Sequence, residues 1–148
     1  MLTTNTQASL LEIKKTFKAP LSRVFKAWTE PEQMTQWFGC GKAQEVHVEQ
    51  DFRVGGDFCV EVACSDGEQV RMSGTFLEIV PNAKLVYTWN NTSSEFPASD
   101  TLVKVEFIDK GDSTEIVLQH SKFNRPVSVQ GHTMGWTACF EKLETLLR

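Results

Sequence analysis

Two histidines are the side chains in this sequence best placed for acid–base chemistry. His120 closes a segment in which Ile116 and Leu118 lie on its side, because a strand repeats every two residues. His132 begins an apolar stripe that continues at helical spacing through Trp136, Cys139, Leu143, Leu146 and Leu147. Imidazole is the side chain whose ordinary proton affinity lies closest to neutral pH. An inward pair therefore supports three readings: a general acid/base pair, polar anchors for a ligand head group, or hydrogen-bonded imidazoles tying a strand end to a helix. No nucleophile or paired carboxylate accompanies them, which favours the last. His47 alternates outward between Val46 and Val48 and is expected in solvent.

Other candidates are weaker. Asp51 and Arg53 are one residue apart, ahead of Gly55-Gly56. Arg53 could hold an anion, but a glycine-rich strand corner closed by an ion pair is the simpler reading. The segment also lacks the lysine and following helix of a phosphate loop. Cys40, Cys59, Cys64 and Cys139 form no C-x-x-C pair and show no metal-ligand spacing with the histidines. They are expected as structural thiols, with no metal, no cofactor and no catalytic residue assigned. The 148 residues carry a net charge of −4 with both signs interspersed, so nothing is suited to tracking a phosphate backbone and nucleic acid is excluded as a partner. No apolar run is long enough to span a bilayer and no leader-type apolar segment opens the chain, so a cytoplasmic location is expected.

The elements that must position these residues follow from periodicity. Leu11, Ile13 and Phe17 alternate with polar residues in a first half-buried strand, with Lys15 a misfit on the apolar side. Ala19-Pro20 ends it, and Val24, Phe25 and Trp28 recur at helical spacing over Leu21 to Trp28. Thr29 or Glu30 caps a second short helix that Pro31 opens toward Trp37-Phe38. From Ala43 the period becomes two: Val46 and Val48, then Phe58, Val60 and Val62, a long strand Val70 to Val80 bent at Gly74, and Leu85, Tyr87 and Trp89. Asp66-Gly67 makes a hairpin turn, and 90–99 reads as a mobile polar loop. A last hairpin runs through Leu102 to Ile108 and Thr114 to His120. A long amphipathic helix follows, from about Pro126 to Arg148. In it Gly135 costs ~1 kcal/mol relative to alanine, which predicts a close approach of helix and sheet at that point. Residues 1–9 are expected to be a flexible N-terminus and 10–148 one domain. The class is α+β: an antiparallel sheet of about seven strands with helices on one face, and two short helices after the first strand.

Ala19-Pro20, Val24 to Pro31, Trp37, Asp51 to Phe58, Gly74 to Ile79, Leu85 to Trp89, Thr114 to His120 and His132 to Trp136 stand in an order that covers nearly the whole chain after about residue 10. This set resembles the family named after the activator of the Hsp90 ATPase, within the START-like (SRPBCC) superfamily of helix-grip folds. The resemblance implies a curved sheet wrapped around the last helix with a cavity between them. It does not by itself imply a reaction, because such folds host many functions. The expected function is binding of a small apolar or aromatic ligand, lined by Trp28, Trp37, Phe58, Phe76, Trp89, His120, His132 and Trp136, with Arg53 a further polar contact. A chaperone-interacting module is the alternative, and a cyclase- or hydrolase-type enzyme using the cavity histidines the second. A monomer or homodimer is expected.

Overall fold

The computed structural model describes residues 2–7, 9–39 and 43–148. The chain begins with β1 (Leu2–Thr6) and β2 (Leu11–Phe17), crosses through α1 (Leu21–Thr29) and α2 (Pro31–Met34), and continues as β3 (Ala43–Gln50), β4 (Asp57–Cys64), β5 (Gln69–Val80), β6 (Lys84–Asn91), β7 (Ala98–Asp109) and β8 (Thr114–Ser121) before ending in α3 (Pro126–Leu147). One eight-stranded sheet has the order β1-β2-β8-β7-β6-β5-β4-β3. Every neighbouring pair is antiparallel. β3 to β8 form a meander, while β2 joins its far side, so α1 and α2 carry the chain from one edge region to the other.

Alternation decides which face is inside. Leu85, Tyr87 and Trp89 of β6, Val103, Val105 and Phe107 of β7, and Ile116, Leu118 and His120 of β8 are all buried on the helix side. α3 contributes His132, Trp136, Cys139, Leu143 and Leu147 of the expected stripe, with Leu146 half-buried. Phe140 is fully buried as well, because the helix lies in a trough: its ring meets Phe17 and Trp28, each at 5.7 Å between centroids. Such side chains contribute ~1.5–3 kcal/mol apiece on leaving water, so α3 is held chiefly by its second half. The misfit Lys15 resolves against this helix: its ammonium reaches the Glu144 carboxylate at 3.2 Å.

Three expectations change. The strands number eight because Leu2–Thr6, read as a flexible N-terminus, pairs with Leu11 to Lys15 as β1. These residues are exposed or half-buried, so no apolar alternation announced them, and the free backbone edge of β2 supplies the pairing. The segment 90–99 is not a free loop: β6 runs to Asn91 and β7 starts at Ala98. What remains is tied down by Ser94 N–H to Glu68 at 2.9 Å and by the Ser128 hydroxyl to the Pro97 carbonyl at 2.6 Å. The second short helix ends at Met34, and Trp37-Phe38 follow in a turn. Cys40 lies outside the described residues.

Candidate functional site: a cavity beneath the C-terminal helix

The first half of α3 diverges from the sheet at the end formed by β4, β5 and β6. The wedge between them is a cavity of about 430 Å³, in the size range of small-molecule sites. Val62 and Met72 form its floor; Phe38, Trp89, Trp136 and Cys139 close the deep end. Phe96, Met134, Glu68 and Glu95 stand at the half-buried or exposed rim. Two helix glycines line it with opposite consequences. A side chain on Gly131 would collide with the Phe96 ring, so this is the glycine that permits a close approach. A Cβ on Gly135 would meet nothing within 4 Å. The close contact predicted at Gly135 is therefore made one turn earlier, and Gly135 instead leaves the cavity open.

Of the eight aromatic and histidine residues expected to line one site, the structure places Trp89, His132 and Trp136 on this wall. Trp28, Phe58 and Phe76 surround a second, much smaller void of about 20 Å³ that shares Phe38 and Trp89 with the first. Trp37 is fully buried in the core, 4.7 Å from Trp28 and 4.4 Å from Phe38 between ring centroids, its N–H donated to the Ala27 carbonyl at 2.8 Å. His120 lies behind the wall. Arg53 lines neither space: its Nε bonds Asp51 at 2.7 Å in water, closing the strand corner. Phe96 and Met134 were not foreseen. Phe96 sits in a polar stretch with no periodicity, and Met134 lies outside the apolar stripe of the helix, 70% exposed.

The two histidines do come together, with 5.1 Å between ring centroids, and their hydrogen bonds define their protonation. The Thr101 hydroxyl donates to the Trp89 carbonyl at 2.7 Å, so its oxygen must accept from His120 Nε2 at 2.8 Å. His120 Nδ1 in turn accepts the Trp136 indole N–H at 3.1 Å. His132 is the opposite tautomer. Its Nδ1 donates to the Ser128 carbonyl at 2.8 Å, and its Nε2 accepts from Trp89 Nε1 at 3.2 Å and from the Asn91 amide at 3.1 Å. The Asn91 carbonyl oxygen already accepts from Ser93 N–H, which fixes the orientation of that amide. Both rings are neutral and fully engaged. Burial, and then the neighbouring His132, holds the His120 pKa well below the usual histidine value. Burial lowers that of His132 too, against the opposing pull of the Ser128 carbonyl. A proton on either acceptor nitrogen would face an indole N–H, so these imidazoles tie β6, β7, β8 and α3 together.

The model of the activator of Hsp90 ATPase homolog 1-like proteins matches residues 18–148. The chain belongs to that family. As a family member it carries the START-like helix-grip fold, and solved structures show the same architecture. A protein from Rhizobium leguminosarum is 29% identical with a TM-score of 0.80, the match covering 99% of this chain and 97% of that one. One from Chromobacterium violaceum is 19% identical with a TM-score of 0.81 over 94% and 96%. CalU16 from Micromonospora echinospora is 23% identical with a TM-score of 0.72 over 99% and 83%. No curated protein matches the sequence. Family and fold together are those of a ligand-binding or chaperone-associated domain. Among the described residues no helix is long and apolar enough to cross a membrane.

Proposed function

We propose that this family member binds a small, apolar or aromatic molecule in the cavity beneath α3, as a domain of the cytoplasm. The observation that supports this most directly is the 430 Å³ space itself. An apolar interior normally collapses to crystal-like density, and here the helix residue over the gap, Gly135, gives up both helix propensity and a filling side chain. The histidines serve as architecture in this reading, which removes the acid/base pair that an enzyme would need. A chaperone-docking role draws support from the family description alone. The large exposed apolar side chains, such as Leu77 and Val80 of β5, Ile108 of β7 and Met134 of α3, are distributed over separate elements.

A panel of neutral aromatics, sterols and lipids at 100 times their dissociation constant should stabilise the protein by about 2.7 kcal/mol, seen as a rise in melting temperature. Gly135→Leu projects a side chain into the open space and should abolish that rise while leaving the far-UV dichroism unchanged. A ligand whose shift survives Gly135→Leu is bound elsewhere. A panel that never shifts the melting point, with the cognate Hsp90 captured instead, turns the assignment over to the chaperone reading.

A further inference from the structure

With both histidines engaged, a polar anchor for the ligand must come from another group, and the smaller void holds two. The indole N–H of Trp28 and the hydroxyl of Tyr87 are buried, 3% and 4% exposed as residues, and neither polar atom completes a hydrogen bond with a protein atom among the described residues. Both residues line the 20 Å³ void, which has room for about one oxygen-sized group. The void lies immediately behind the deep end of the large cavity. Phe38 and Trp89 are walls of both spaces, and Trp28 stacks on Trp136 at 6.2 Å between ring centroids. Burial raises the Tyr87 pKa, partly offset by the Trp28 indole N–H, which is turned toward the phenol oxygen without completing a hydrogen bond, and reinforced by Cys139, itself a wall of the large cavity. The phenol is therefore a neutral donor.

We propose that Trp28 Nε1–H and the Tyr87 hydroxyl form a two-donor cradle for the carbonyl oxygen of an uncharged, mainly apolar ligand whose body fills the cavity under α3. This deepens the ligand-binding reading above and rests on it. The chemistry selects the class. Indole N–H only donates, and phenol O–H donates to any acceptor brought near it; the two lone pairs of a ketone, ester or quinone oxygen take both. A carboxylate is disfavoured, because among the described residues no lysine or arginine lines either space and a buried anion without a cation is costly. A pure hydrocarbon leaves both donors as unsatisfied as before. The Phe38 and Trp89 rings, stacked with centroids 6.5 Å apart, separate cavity from cradle as walls common to both, so the carbonyl enters by parting them.

The test is a matched series of 2-acetylnaphthalene, 2-ethylnaphthalene and 2-naphthoate, titrated by equilibrium dialysis against the full chain and its Tyr87→Phe and Trp28→Phe variants. The ketone should bind roughly five- to tenfold tighter than the hydrocarbon, the span of one or two net hydrogen bonds, and naphthoate weakest. Tyr87→Phe should remove most of the advantage of the ketone and leave 2-ethylnaphthalene unchanged, with a melting temperature no lower than that of the parent. Trp28→Phe should act in the same direction and keeps the question answerable if Tyr87→Phe fails to fold. Equal binding of ketone and hydrocarbon, or equal losses for both in the variants, overturns the cradle while leaving the cavity as a binding site. Binding of none of the three overturns cradle and cavity together.

Discussion

Acid should weaken this fold at mild pH through His120 and His132. In the unfolded chain each imidazole takes up a proton near pH 6.5. In the folded chain burial holds both below that value, so the unfolded state binds more protons and stability falls as pH falls from there. The contribution is fully present above pH 6.5. By pH 5.5 an unfolded histidine is about ten-elevenths protonated, which costs the fold up to about 1.4 kcal/mol per residue, or up to about 2.8 kcal/mol for the pair. The hydrogen bonds of both rings run to uncharged groups that do not offset this: Thr101 and Trp136 for His120, and Ser128, Trp89 and Asn91 for His132. Urea denaturation at pH 7.5, 6.5 and 5.5 measures the loss, and His132→Gln should remove up to half of it. A midpoint that stays level across this range would mean the imidazoles accept protons in place, and the tautomers assigned from Thr101 and Ser128 would be wrong.

The two helix glycines make an independent test. Gly135→Ala enters open space and should stabilise by up to ~1 kcal/mol from helix propensity, whereas Gly131→Ala must displace Phe96 and should lower the melting temperature. The reverse order in a thermal melt would refute the placement of Phe96. Thr101→Val keeps the shape but leaves the His120 Nε2–H without its acceptor, an expected loss of ~1–3 kcal/mol in urea denaturation; a neutral substitution would show that the hydroxyl relay from His120 to Trp89 carries no weight.

How much of this was legible follows the range over which each signal acts. The inner face of the sheet was legible: Leu85, Tyr87 and Trp89 alternate, and all three are buried. The stripe of α3 was legible for the same reason, since period is a local property. The partition of aromatics was not, because Trp28, Trp37 and Trp136 carry the same apolar signal whether they fill a core, border a small void or wall a cavity. That depends on where α3 departs from the sheet, a property of the whole chain. Gly135 illustrates the limit: its cost in a helix was readable, but whether a side chain there would meet atoms or space was not. β1 escaped notice because pairing by backbone alone leaves no apolar pattern, and Phe96 because its partner Gly131 lies 35 positions on.

The pairing of β2 with β8, which sets Leu11 opposite His120, bears on how the protein is made. A contact between residues so distant in sequence closes a long loop, and topologies dominated by such contacts fold slowly, in milliseconds to seconds. On the ribosome β2 must wait for β8 to emerge, whereas the hairpins of β3 to β8 can form as they appear. α3 emerges after every strand, so until it appears the inner face of the sheet has no lid. The hollow therefore forms only after the sheet that floors it, and a ligand present at that moment would meet its site as it closes.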